Sequence, residues 1–354
     1  MTLGSATIPL LLGYALFSAL VTWLSIRYAY HRALVDMPGQ RRSHSVPTPR
    51  GGGIGIVVTV LLGLSLSPDH YINLLWESPI VPVLLVASVG WIDDHRGLRA
   101  IWRLLAHFFA IVMQWWPAFL LIVVWPWAIG AASTQATMLH IALMAAIWVA
   151  CVWSINLHNF MDGINGLLAA QAIFIFTALS VLSYGQDRFM LQLFASAVAG
   201  FLPFNFPRAR VFMGDVGSGV LGLLIAIAVW QSIRSTGSAY SGLIACSAFV
   251  TDATCTLLSR MLRGRRWYSA HREHLYQWLV RSGFSHARVV AFYMGWNLFV
   301  VVPVLYAVNR GAVLQSQFDG WVWMLAVYAL AFAVWIAGKR WCLLHAKNAK
   351  KQEV

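Results

Sequence analysis

Acidic side chains are scarce: 12 Asp and Glu stand against 25 Lys and Arg in 354 residues, and only 10% of the chain is charged. With 60% hydrophobic residues and a mean hydropathy of +0.69, the chain lacks the polar surface a water-soluble domain needs. It also lacks the sustained apolar–polar alternation of an outer-membrane barrel. The four cysteines, Cys151, Cys246, Cys255 and Cys342, form no CxxC pair, so neither a disulfide framework nor a zinc site is indicated. A Walker motif is missing, as are internal repeats and any stretch composed like a soluble domain. The first apolar run has its charge after it rather than before it, which argues against a cleaved signal peptide.

What fills the chain is long apolar runs, the mark of membrane spans. They predict an all-α polytopic membrane protein of about eleven transmembrane helices, at roughly 8–27, 53–67, 78–92, 103–124, 138–155, 167–183, 190–206, 217–233, 240–258, 289–308 and 320–338. On alternate connectors, 22 of the 25 Lys and Arg fall on one side, and only Arg188, Arg234 and Arg310 on the other. The positive-inside rule then predicts an outer N-terminus and a cytoplasmic C-terminus. Trp115, Trp116, Trp125, Trp127, Trp321 and Trp323 fall at expected outer interfaces and read as belt anchors. The whole chain, 1–354, reads as a single integral membrane domain whose motifs lie between residues 36 and 290.

The polar residues that interrupt these runs are patterned. Asn156, Asn159, Asp162 and Asn165 recur every third residue between two apolar runs. On a helix such residues are neighbours on a strip that drifts by about 60° per step. Three amides and a carboxylate there suit a hydrated Mg²⁺ or a sugar amide, and Gly163 and Gly166 let a ligand approach the backbone. A plain hydrophilic connector needs neither the rhythm nor the glycines. Asp93 and Asp94 sit together where a span meets the interface; paired carboxylates repel and resist dehydration, and a divalent cation relieves both. Asp215, between Gly214 and Gly217 at the start of an apolar run, is a helix cap or a metal ligand, and its setting favours the ligand.

Three further stretches carry charge. Arg42, His44 and Arg50 flank Pro47-Thr48-Pro49 and precede Gly51-Gly52-Gly53, a set suited to phosphate; a basic retention loop explains the arginines alone better, and the proline and glycine run brings the two readings level. Asp252 lies inside a span with Arg260 eight residues on; it is either functional or a packing element. The basic loop with Trp267, Tyr268, His271, Arg272 and His274 suits a diphosphate and a nucleobase. An amphipathic helix on anionic lipid would account for its arginines but not its histidine pair, and zinc would need ligands from elsewhere.

Taken in order, Pro47-Thr48-Pro49-Arg50-Gly51-Gly52-Gly53, Asp93-Asp94, Asn159-Phe160-Met161-Asp162-Gly163-Ile164-Asn165-Gly166, Phe212-Met213-Gly214-Asp215-Val216-Gly217-Ser218 and His271-Arg272-Glu273-His274-Leu275-Tyr276-Gln277 resemble the polyprenyl-phosphate N-acetylhexosamine-1-phosphate transferase family. The resemblance implies an undecaprenyl-phosphate acceptor, a UDP-N-acetylhexosamine donor and Mg²⁺, with Mn²⁺ as a substitute. It implies Asp215 as the metal ligand, Asp93 and Asp94 as essential acids, and the loop of His271 and His274 as a donor contact; the residue patterns add Asp162 to the catalytic acids and Arg50, Asn156, Asn159, Asn165 and Arg272 to the substrate contacts. The expected home is a bacterial inner membrane, with the active site on its cytoplasmic face. The expected partners are lipid and substrates, without nucleic acid, and a homodimer is left open. Two departures stand out: Asn165 is Asp in many members, and the histidine loop lacks the triple histidine of the muramoyl-pentapeptide enzyme. With the extra last span, this is more similar to the O-antigen-initiating branch. The rival class is a transporter or lipid-linked flippase using buried acidic residues.

Overall fold

The computed structural model describes residues 7–37, 46–66, 78–130, 133–236, 239–266, 271–313 and 317–352. They are almost wholly helical: α1 (Thr7–His31), α2 (Ile54–Ser65), α3 (Ile80–Arg96), α4 (Ala100–Phe119), α5 (Trp125–Ala128), α6 (Thr134–Met161), α7 (Leu167–Leu182), α8 (Gly185–Asn205), α9 (Asp215–Thr236), α10 (Tyr240–Ala245), α11 (Ser247–Leu262), α12 (Leu275–Arg281), α13 (His286–Trp296), α14 (Val302–Val313) and α15 (Gln317–Gln352). Short π-helical turns, Leu120–Val124 and Asn297–Val301, join α4 to α5 and α13 to α14.

Six helical stretches are long and apolar enough to cross a membrane: Thr7–His31, Ala100–Ala128, Thr134–Met161, Asp215–Ile233, His286–Asn309 and Gly320–Ala346. Helices α2 and α7 are apolar but shorter. At about 1.5 Å per residue, α2 is well short of a hydrocarbon core about 30 Å thick. Among the described residues, length and composition therefore support six crossings, fewer than the eleven or so expected from apolar runs alone. Of the tryptophans read as belt anchors, Trp115 is buried and the other five are exposed.

The fold groups into two compact units. The first is drawn from residues 1–159, 196–204 and 210–226, the second from 160–195, 205–209 and 227–354.

In the first unit, helices approach through small residues, as packing between membrane helices favours. Ser18 and Thr22 of α1 are fully buried. Gly55 leaves room for Thr22, Gly200 for the Ala15 carbonyl, and Ser18 Oγ donates to the Ala197 carbonyl at 2.6 Å. Leu12, Leu16 and Leu20 are exposed on α1, a face suited to lipid. Strands β1 (Val35–Asp36) and β2 (Thr48–Pro49) pair antiparallel, Val35 opposite Pro49 and Asp36 opposite Thr48.

The glycine run after β2 meets the chain itself. Gly52 N–H donates to Phe212 O at 2.9 Å, Gly53 N–H to Met213 O at 2.8 Å, and Phe212 N–H to Pro49 O at 2.8 Å. A Cβ on Gly53 would strike Gly217 and the Met213 carbonyl. The close approach these glycines permit is thus made by residues 212–217, not reserved for a ligand. Gly217, Gly219 and Gly222 have dinucleotide-fingerprint spacing, but they follow a loop rather than a strand. They admit Gly53, Val86 and Ile155 instead.

In the second unit an apolar cluster of Ile244, Val301, Leu305, Val308, Met324 and Val327 joins α10, α14 and α15. Two of its buried amides are linked, as burial favours: Asn297 Nδ2 donates to Gln171 Oε1 at 2.7 Å, and Gln171 Nε2 to the Ala245 carbonyl at 3.2 Å.

Candidate active site

In the first unit, α3 ends with Asp93 and Asp94, and a three-residue link returns the chain into α4, whose first turn carries Arg103. Gly90 lets α3 press against the start of α9: a Cβ there would lie 2.5 Å from the Asp215 carbonyl. This contact sets the carboxylates. Asp94 accepts the N–H of Asp215 at 3.0 Å and of Val216 at 3.1 Å, so it caps α9, where a negative charge also meets the positive end of the helix dipole. Gly214, at φ +75°, leaves space for the Asp94 carboxylate.

Asp215 is thereby relieved of capping its own helix. Its Oδ2 meets Arg103 Nη1 at 2.6 Å, and the same nitrogen lies 2.8 Å from Asp93 Oδ2. The other Asp93 oxygen accepts the Leu98 N–H. Two carboxylates therefore meet one guanidinium, partly open to solvent, with Asp94 at the adjoining helix start. Asn159 reaches the same helix turn, donating to Ser218 Oγ at 3.0 Å. Asn156 turns back to the Val152 carbonyl at 2.8 Å and also bonds His107. Arg50 pairs with Asp36 at 3.1 Å, tying the chain after β2 to β1. Arg42 and His44, read with it as phosphate contacts, lie outside the described residues.

The strip expected from Asn156 to Asn165 is corrected here. Helix α6 stops at Met161, so only Asn156 and Asn159 share it; Asp162 and Asn165 lie in the turn beyond. The glycines enforce the stop. Gly163 makes room for the Tyr276 hydroxyl, and Gly166, at φ +76°, has Phe206 where a Cβ would be. In the second unit Tyr276 OH donates to the Phe160 carbonyl at 2.9 Å, Gly166 N–H to Asn205 Oδ1 at 2.7 Å, and Asn165 Nδ2 to the Pro207 carbonyl at 3.3 Å.

The histidine loop is also in the second unit, and Asp252 organises it. Buried in α11, Asp252 accepts from Leu275 N–H at 2.7 Å, Tyr276 N–H at 3.3 Å, Tyr293 OH at 2.7 Å, Trp335 Nε1 at 3.1 Å and Thr256 Oγ1 at 3.3 Å. It is a packing element that caps α12. His274 is buried, its ring stacked 5.8 Å from Tyr276 and 6.3 Å from Phe160. The half-buried His271 ring lies 4.9 Å from that of His274. Arg272 offers its carbonyl to Arg281 at 3.4 Å. Trp267 and Tyr268 lie outside the described residues.

Burial, the His274 ring and Arg260 push His271 down to about 4, and burial likewise lowers His274. Both imidazoles are neutral at pH 7, offering ring faces and hydrogen bonds rather than charge. Glu273 binds Arg260, and Arg265 at 3.0 Å. Burial would raise its carboxyl, but the two arginines outweigh it and hold it below the usual range.

Residues 76–233 match the model of glycosyl transferase family 4. Over those residues the chain is similar to that family. It is 28% identical over 300 residues to the decaprenyl-phosphate N-acetylglucosaminephosphotransferase of Mycobacterium leprae (strain TN), covering 74% of each chain. It is 25% identical over 345 residues to the undecaprenyl-phosphate alpha-N-acetylglucosaminyl 1-phosphate transferase of Salmonella typhi, covering 91% of this chain and 88% of that one. A probable undecaprenyl-phosphate N-acetylglucosaminyl 1-phosphate transferase of Bacillus subtilis (strain 168) is 24% identical over 300 residues, covering 81% of each.

Within the family 4 region, Asp93, Asp94, Asn159 and Asp215 converge, and Arg103 joins them. Sequence reasoning counted Arg103 only as a basic residue near the interface; its signal was a cation ten residues past an acidic pair. Glu273 was passed over in the same way, although it is the acid among the arginines of its loop. No group of three or more His, Cys, Asp or Glu placed to hold a metal exists among the described residues. Mg²⁺, however, uses one or two carboxylates and takes its other ligands from water and substrate phosphates. Asp93 and Asp215, converging on a single cation, fit that donor set.

Proposed function

We propose that this protein transfers N-acetylhexosamine-1-phosphate from a UDP-sugar to undecaprenyl phosphate and releases UMP. The product, a lipid-linked diphospho-sugar, would start an O-antigen or related envelope glycan. The observation that carries the reading is the convergence of Asp93 and Asp215 on one guanidinium nitrogen, at 2.8 and 2.6 Å, inside the region matched by family 4. Relatives named for N-acetylglucosamine-phosphate transfer to polyprenyl phosphates support the substrate classes.

Phosphoryl transfer needs positioned reactants and neutralised charge more than a strong base. A phosphate monoester has its second pKa near ~6, so the acceptor is largely dianionic at neutral pH. Its oxygen attacks the phosphorus that bears the sugar, and the bond from that phosphorus to the UMP oxygen breaks. Mg²⁺ held by Asp215 and Asp93 would supply charge neutralisation for the diphosphate. Asp94 fixes where Asp215 stands by capping α9, and Asp93, its oxygens taken by the metal and the Leu98 N–H, steers the acceptor while the residual proton passes to water. Asn159 steadies the first turn of α9. In the second unit, Asp162 and Asn165 offer polar groups of the kind an amino sugar takes, and the His271 loop, with Arg272, has the ring faces and basic charge that suit a nucleotide. The charge asymmetry of the connectors supports about eleven crossings, an outer N-terminus and a cytoplasmic active site.

A transporter reading would need Asp252 as an exchangeable intramembrane carboxylate, and five fixed donors already hold it. The test is direct. Purified protein with undecaprenyl phosphate, Mg²⁺ and UDP-N-acetylglucosamine or UDP-N-acetylgalactosamine should release UMP in step with labelled lipid. Release of UMP from neither donor overturns the reading.

A further inference from the structure

We propose that Arg103 is a positioning residue that keeps the metal's place. Its guanidinium holds Asp93 and Asp215 together while no divalent cation is bound, and it gives them up when one binds. The inference deepens the transferase reading and rests on it for the identity of the metal ligands. The geometry is specific. A single nitrogen, Nη1, serves both carboxylates, at 2.8 and 2.6 Å. Two like charges brought this close repel unless a cation lies between them or they share a proton, and Arg103 supplies that cation. A metal bonds carboxylate oxygens at about 2.0–2.1 Å, which a guanidinium cannot share at hydrogen-bond distance. The two cations are therefore alternatives.

The surroundings allow the exchange. The three-residue link between α3 and α4 is pinned by the Leu98 N–H on Asp93 and by Gly97 at φ +69°. This fixes the backbone from which Arg103 reaches. The side chain itself is 31% exposed and can swing away without opening a packed core. Asp94, by contrast, spends both oxygens on backbone N–H groups and stays put. Arg103 thus presets the distance between the two carboxylates while the site lacks its metal, and its departure offsets part of the metal's binding energy.

The experiment is a Mn²⁺ titration of the full chain in detergent without substrates, with free Mn²⁺ read by electron paramagnetic resonance. Arg103→Gln should bind Mn²⁺ about tenfold more tightly than wild type, because the competing cation is gone. Arg103→Lys should stay near wild type. A Gln variant that binds no more tightly, or the absence of saturable Mn²⁺ binding in every variant, overturns the proposal. Wild-type protein supplies a reading free of folding effects. Phenylglyoxal modification of Arg103, followed by mass spectrometry, should rise as Mn²⁺ is added, and an unchanged or falling rate overturns the exchange. UMP release by wild type is scored separately. A chain that releases no UMP yet shows both Mn²⁺ effects loses the transferase reading and keeps the exchange, and the reverse pattern does the opposite.

Discussion

Asp252 and Asp215 are both carboxylates on helices in an acid-poor chain, and they differ in what faces them. Asp252, 3% exposed, meets five donors fixed on four helices. Asp215, 27% exposed, meets the tip of one flexible side chain, which it shares with Asp93. A carboxylate saturated by rigid donors has no valence left for a ligand, and removing it strands its partners. One balanced by a single mobile cation can trade that cation for another. Asp94 belongs with Asp252 in this respect, since each spends both oxygens on the N-terminus of a neighbouring helix. Burial alone does not separate the two acids; the mobility of the partner does.

The largest test of the contrast is Asp215→Asn. Turnover should fall at least about a thousandfold, equivalent to roughly 4 kcal/mol of barrier, with an unchanged melting profile in detergent. Activity above about a tenth of wild type would make Asp215 another structural acid. Asp252→Ala should do the reverse. It should destabilise the chain by about 3–5 kcal/mol, the range for breaking a buried charged network, read as a lowered thermal midpoint. A midpoint that does not move would erase the contrast. Asp94→Asn should show both effects in milder form, because it disturbs the α9 cap and, through it, Asp215.

How much of this could be read from the chain follows the same line. The membrane class, the helix positions and the acidic motifs were legible because periodicity and scarcity are local properties. So was the place of Asp215 at a helix start, from its flanking glycines. Arg103 was not, since nothing local distinguishes an arginine that bridges two carboxylates from one that marks the cytoplasmic side. The course of residues 156–165 was misread for a related reason. The three-residue rhythm is helical, but Gly163 and Gly166 admit Tyr276 and Phe206, side chains remote in sequence. Asp252 stayed open for the same cause, as four of its five donors come from 23 to 83 residues away.

A smaller effect separates the two regions by reaction step. Asp93→Asn should lower kcat by tenfold or more while donor affinity persists, as expected of an interaction made in the transition state. His271→Ala should raise the apparent KM for the UDP-sugar by several-fold, with kcat nearly kept. Donor titrations at saturating lipid, with calorimetric donor binding, make the distinction. If Asp93→Asn loses donor affinity while His271→Ala binds normally, the division of labour is wrong.

The smallest expected effect is acid sensitivity of the histidine loop. His271 titrates at about 4 in the fold, below the ordinary histidine value of about 6.5, so the unfolded loop takes up its proton first as pH falls. Its stabilising contribution is whole above about pH 6.5 and declines from there toward 4. Glu273 is also depressed in the fold, and its contribution is present above the ordinary carboxylate range and lost as pH falls through it. The two act in the same direction, His271 in the upper window and Glu273 in the lower. Because His271 is only half buried, solvent screening keeps the effect modest. Hydrogen exchange of residues 271–281 should be flat from pH 8 to 6.5 once corrected for intrinsic rates, and should rise from there toward pH 5. His271→Gln, which cannot take up a proton, should reduce that rise to the share carried by buried His274 and leave the change below about pH 4.5 in place. Equal slopes for wild type and variant between pH 6.5 and 5 would mean that another group titrates the loop.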